Sequence, residues 1–276
     1  MKPTVVVVDN DSFSNATDQI ESMSDMNSPE KMVIVKVGIY NPETGICTTI
    51  RTLQSIIDAF DKAPEIRITE SDSGAGPGLE RLEIWKECYD DRVVPFNLTD
   101  DKETQDVEIA GEMVPFPRIF SEPNTFVSTH VPRRYEQAGL EDLMNMGFVI
   151  KNLLGMIPDT KKHRFHDQLP IALLDIYEAI GGIDLAVIDG TNVYRGYKER
   201  RITLAPNILI VGTDAFAVEA VGGYLVGFEP EEMPVLQEAK KRRLGEISID
   251  KIEIIGDIES HRQKVGQAFD RLMPNM

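Results

Sequence analysis

The chain has 276 residues, 42% of them hydrophobic, enough to bury a sizeable core within one large domain. Its formal net charge of −17 argues against nucleic acid or an anionic membrane as partner, because both demand cationic contacts that displace counterions. With two cysteines and no C-x-x-C pair, a cysteine-ligated iron–sulfur cluster or zinc ribbon within the chain is excluded.

Residues 4–8 are a β-branched run ending at Asp9 and read as a buried strand. Residues 10–31, rich in Ser, Asp, Asn and Met, show no period and read as a ragged helix, a loop or both. A second buried strand covers 32–37. Over 49–61 the apolar residues Ile50, Leu53, Ile56, Ile57 and Phe60 share one helical face. A third strand at 66–70 leads into the Gly-rich SDSGAGPG and a helix over 79–88. The charged stretch 99–112 fits a hairpin, part of an excursion within 97–124. Residues 125–129 form a strand ending at His130. The second half continues with a helix at 167–180 closed by Gly181 and Gly182, then strands at 184–189 and 207–212. A helix at 214–226 follows, then one from Pro230 whose acidic start and basic end suit the helix dipole. A strand at 252–256 and a helix at 259–272 close the chain. This alternation predicts an α/β fold in a single domain: a mostly parallel twisted sheet with helices on both faces. No apolar run approaches the ~20 residues of a membrane span, and the opening residues do not form a signal peptide, so a cytoplasmic protein is expected. Cys47 and Cys88 read as small residues in or near the core.

Ligands of parallel sheets bind beyond the carboxyl ends of the strands. That edge is predicted to gather Lys36, Glu70 with Ser71, Thr129 with His130, Asp189 and Asp214. Singly, each has a plainer reading: Asp214 as a helix N-cap, Asp189 as a turn former before Gly190. Gly74, Gly76 and Gly78 alternate, so the Gly-rich loop matches neither dinucleotide nor P-loop spacing and reads as a turn.

Charge isolates one stretch. Residues 1–129 carry 11 basic and 24 acidic groups and residues 167–276 carry 12 and 18, whereas 130–166 carry 6 and 4, with three of the four histidines. Such a stretch fits a site for a small anion, or a solvated basic loop. His130 offers an imidazole that titrates near neutrality. Lys151, depressed by burial or cationic neighbours, would act as base or nucleophile. Lys161 and Lys162, with Lys36, Glu70, Ser71 and Asn152, would bind the substrate. His163 and His166, three apart, would share a helical face and with Asp214 are candidates for a divalent metal, the alternative again being a solvated loop. Neither G-x-S-x-G nor H-E-x-x-H occurs, which argues against a serine hydrolase or zincin.

Several stretches together resemble the family called domain of unknown function 362. They are VIVKV with the later GICTT, IRITESDSG, STH at Ser128–His130, GFVIKNLLGMIP, DLAVIDGTNVYRG and IVGTDAFAVEAVGGYLVGFEP, spanning about residues 32–246. Serine stands at 128 where the family pattern has lysine, and Glu219 where it has Asp. The lysine–asparagine–leucine–glycine pattern singles out Lys151. Many members add a ferredoxin-like module with cysteine clusters; this chain has none, so electron transfer is not carried over. The combined expectation is an enzyme for acid/base chemistry (an isomerase, racemase or lyase) on a small anionic substrate or cofactor precursor, with His130, Lys151 and Asp189 as catalytic residues. The alternative is a metal- or cofactor-binding or maturation protein without turnover, with Asp189, Asp214, Glu219 and the histidines as ligands. A sheet of this kind is also compatible with a homo-oligomer.

Overall fold

The computed structural model describes residues 2–134, 147–196 and 201–272. In chain order its strands are β1 (Thr4–Asp9), β2 (Met32–Lys36), β3 (Ile66–Glu70), β4 (Val93–Asn97), β5 (Thr104–Ile109), β6 (Glu112–Pro117), β7 (Asn124–His130), β8 (Arg133–Arg134), β9 (Leu185–Gly190), β10 (Val193–Arg195), β11 (Ile202–Leu204), β12 (Ile208–Gly212) and β13 (Glu253–Ile255). Eight of them form one sheet in the order β13-β1-β12-β9-β7-β2-β3-β4. Helices pack on both faces, as the alternation of elements predicts.

The two faces follow from period-two alternation. Val33, Val35, Val127, Leu185, Val187 and Leu209 point to a layer containing Phe13, Leu53, Ile56, Ile57 and Trp85. Ile34, Phe126, Ala186, Ile188 and Ile210 point to a second layer, under the helices Leu169–Ala179, Ala215–Leu225 and Pro234–Arg242. The helix Ile50–Ala59 begins where the sequence places it: Thr49 accepts the Thr52 N–H through its hydroxyl, and Leu53, Ile56 and Ile57 are fully buried. Burial of each such side chain is worth about 1.5–3 kcal/mol.

Strand direction decides what reaches the ligand-binding edge. β4, β3, β2, β7 and β9 are mutually parallel. β12 is antiparallel to both β9 and β1, and β1 is parallel to β13, so β12 alone runs the other way. Gly212 therefore lies beside Ala186, at the start of β9, while Gly190 lies beside Ile208. Asp214 is consequently at the opposite edge from Lys36, Glu70 and His130, which corrects the expectation that all would converge. An apolar run such as ILIVG looks the same in either direction, so its sequence carries no sign of the reversal. Winding also reverses within the parallel part. The chain passes from β2 to β3 and β4 on one side, and from β7 to β9 and β12 on the other. The crevice between β2 and β7 is thus a topological switch point.

Other departures are local. β4 contains Pro95, and its Val-Val-Pro-Phe-Asn run does not announce a strand; proline is tolerated because β4 is an edge strand. The expected helix over 79–88 is α-helical only at Gly78–Leu82 and continues as the 3-10 turn Glu83–Cys88. The hairpin β5–β6 lies in the region of the expected excursion and packs Ile109, Val114 and Phe116 into the core. Cys88 is buried and Cys47 partly so, both as free thiols. Among the described residues, no helix is long and apolar enough to cross a membrane.

Candidate active site

In-register partners point to the same face. Lys36 pairs with Ser128, and His130 with Ile188, so all three polar side chains share the face of Ile34, Phe126 and Ile188 at the switch point. Lys36 ends β2 and is 1% exposed. Its ammonium donates to the Val37 carbonyl at 2.8 Å, to Glu70 Oε2 at 3.1 Å and to Asn152 Oδ1 at 3.1 Å, which uses all three protons. Burial lowers its pKa, and Glu70 opposes that shift. Glu70, the last residue of β3, is 2% exposed and also meets Arg81 Nη1 at 3.4 Å. Its Oε1 accepts the Ser71 N–H at 2.9 Å, and the Ser71 hydroxyl donates to the Gly155 carbonyl at 2.5 Å. Arg81 donates further to the carbonyls of Tyr40 and Ser71.

The turn Lys151–Met156 is fastened to this edge by Asn152. The Asn152 amide nitrogen donates to the Lys36 carbonyl at 2.9 Å and the Thr129 carbonyl at 3.1 Å, and lies 3.2 Å from the Ser128 hydroxyl. Gly155 closes the same contact: a Cβ there would stand 2.8 Å from Lys36 Cε and 3.0 Å from Glu70 Oε1. The asparagine and glycine of this stretch therefore lock a turn onto a buried ion pair, and Lys151 is the residue immediately before the lock.

His130 ends β7, is 5% exposed and accepts the Val131 N–H on Nδ1 at 2.8 Å. In the neutral ring the proton is then on Nε2. Burial, and then the charges of Arg133, Lys36 and Lys151, push its pKa well below the ordinary histidine value. Gly38 leaves room for the ring, which a Cβ at 38 would strike. Burial and Arg133 bring the Lys151 amine down to about 7. Burial, Lys151 and His163 lower His166 in turn. A neutral imidazole thus lies within the field of Arg133, Lys151 and Lys36, while the Lys151 and His166 charges also interact.

The remaining candidates are placed differently. Lys162 is 9% exposed and donates to the carbonyls of Asp72 and, at 2.7 Å, Asp159. Burial brings its pKa to about 8, and the two carbonyl bonds make it a clamp between loops. Lys161 is exposed, and its backbone N–H donates to Asp159 Oδ1. His163 and His166 are exposed on the 3-10 turn Lys162–Gln168, where residues three apart eclipse. Asp214 caps the helix Ala215–Leu225, its Oδ1 accepting the Phe216 and Ala217 N–H groups at 3.0 Å and its Oδ2 that of Glu246 at 3.0 Å. Among the described residues no three His, Cys, Asp or Glu side chains are grouped to hold a metal ion.

Asp189 is at the expected edge but on the other face. It follows Ile188 and pairs in register with Leu209, so it points away from His130. It is fully buried and accepts the Thr49 N–H at 2.6 Å, the Thr191 N–H at 3.1 Å and the Thr191 hydroxyl at 2.5 Å. Those bonds join the turn after β9 to the start of the helix Ile50–Ala59.

Three further residues shape the site. Arg81 and Arg133 supply charge; the only sequence signal for Arg133 is its place in the cationic stretch just beyond His130. Glu219 is fully buried on the helix Ala215–Leu225 and accepts the N–H groups of Phe148 and, at 3.1 Å, Ile150. Burial raises its pKa to about 8 against those donors. The sequence marks Glu219 only as a departure from the family pattern and a candidate ligand.

Residues 33–223 match the family model described as Domain of unknown function (DUF362). No curated protein and no solved structure matches the chain.

Proposed function

As the chain belongs to this family, whose description assigns no activity, we propose from its geometry that the crevice between β2 and β7 is the active site of an enzyme acting on a small anion. One observation carries the reading: a neutral, buried imidazole and an amine held at about 7 are set at a switch point among cationic side chains. Arg133 and Lys151 supply attraction for a carboxylate or phosphate. A lysine near 7 is partly unprotonated at neutral pH and suits proton abstraction. A neutral His130 with its proton on Nε2 suits donation to oxygen as negative charge develops, without itself ionising. This inventory fits isomerisation, racemisation or a lyase step next to a carboxylate. Lys36, Glu70 and Asn152 hold the floor of the site in place.

The test is thermal-shift screening with a panel of small carboxylates and phosphates, on wild type, Lys151→Met and His163→Ala. The reading expects at least one compound to stabilise wild type and His163→Ala but not Lys151→Met. A panel that stabilises neither wild type nor His163→Ala, or hits that survive in Lys151→Met, would overturn it.

A further inference from the structure

The segment that presents Lys151 hangs on one buried carboxylate from another layer. Glu219 is 0% exposed, and its two oxygens take separate backbone donors, Oε1 the Phe148 N–H and Oε2 the Ile150 N–H. Gly147, with φ +98°, lies against the same carboxylate, and a Cβ there would overlap Oε1. One helical turn beyond Glu219, Gly222 makes room for the Phe148 ring: a Cβ at 222 would be 3.0 Å from it. Glu219 and Gly222 thus seat 147–150 on the helix Ala215–Leu225, and Lys151 and Asn152 follow directly. At the far side of the turn, Asn152 bonds Lys36, Ser128 and Thr129.

A core carboxyl group with no ion pair among the described residues is costly to bury, and leucine or methionine would fill the position without that cost. What the carboxyl group supplies is a pair of oxygens at a fixed spacing, set against backbone donors that have left regular structure. We propose that Glu219 is a positioning residue for the active site: by gripping the backbone of 148–150 it sets where the Lys151 amine stands relative to His130 and Arg133. The inference rests on the acid/base reading of Lys151 given above. Glu219 acts on that segment through its backbone, by way of the Phe148 and Ile150 N–H groups.

The experiment is trace acylation of the full chain with acetic anhydride between pH 5.5 and 10. The peptide containing Lys151 is quantified by mass spectrometry for wild type, Glu219→Gln and Gly147→Ala. Glutamine keeps the size but sets an amide NH2, which donates and does not accept, where one carboxyl oxygen meets a backbone N–H. Wild-type Lys151 is expected to titrate near 7, and Glu219→Gln to move it upward by a unit or more, a loss of about fivefold or greater in unprotonated amine at neutral pH. The inference is overturned if Glu219→Gln melts cooperatively, at whatever temperature, and Lys151 still titrates as in wild type. Gly147→Ala, which disturbs the same grip from the loop side, decides the matter should Glu219→Gln fail to fold. Wild-type Lys151 titrating at the ordinary lysine value would instead overturn the acid/base reading on which the inference rests.

Discussion

The two faces of one sheet edge make opposite use of ionisable groups. On one face, Asp189 receives three hydrogen bonds at or below 3.1 Å and ties a turn to a helix start. On the other, His130 and Lys151 are held where burial and neighbouring cations disfavour their charged forms. A group whose bonding capacity is filled contributes stability; a group kept from its preferred state at neutral pH is suited to exchange protons. His130 and Asp189 are nearly adjacent across the β7–β9 ladder, yet alternation sends them into these two environments.

The largest effect should come from beneath the reactive face. Lys36→Met leaves the buried Glu70 with Arg81 as its ion-pair partner among the described residues and should cost about 3–5 kcal/mol in urea unfolding. A loss well below that would mean the pair is not what holds the floor. On the opposite face, Asp189→Ala strands donors from Thr49 and Thr191 and should cost about 1–3 kcal/mol. Anion-induced stabilisation should persist in that variant; its loss would give Asp189 a part in the site and erase the contrast between the faces.

Lys151→Met should change stability in a pH-dependent way, the difference from wild type shifting by about 1.4 kcal/mol per pH unit between the two pKa values. The folded-state pKa of about 7 lies below the ordinary lysine value of 10.5. Between those values the unfolded chain binds the extra proton, so wild type gains stability as pH rises and loses it as pH falls toward 7. Wild type should therefore gain on Lys151→Met between pH 7 and pH 9.5 in paired urea titrations. A constant difference would show that the amine is not depressed. His163→Ala, on the exposed 3-10 turn, should stay within about 0.5 kcal/mol of wild type.

The strands and most of the sheet edge were legible in the sequence, but the contrast between its faces was not. Apolar runs and helical faces located β1, β2, β3, β7, β9 and β12, and strand ends named Lys36, Glu70 and His130. What periodicity cannot carry is direction and pairing. The reversal of β12 removed Asp214 from the edge, and the register of β9 turned Asp189 away from His130. Arg81, and the part Glu219 plays in holding the backbone, were out of reach for a related reason. Each acts on residues distant in sequence, 11 positions for Arg81 with Glu70 and 69 for Glu219 with Ile150, and nothing local marks such a contact. Asn152 and Gly155 were visible as a pattern, but their part in locking a turn onto Lys36 needed the geometry.

The state of His130 tests the central claim most directly. Nitrogen-15 NMR of the histidine rings, followed from pH 5 to pH 8.5, reads both protonation and tautomer. The account predicts that His130 is still neutral at pH 6.5, where an ordinary histidine is half protonated, with its proton on Nε2, because burial and the surrounding cations disfavour the charged ring and Val131 donates to Nδ1. Protonation of His130 near the ordinary value of 6.5, or a proton resident on Nδ1, would contradict it.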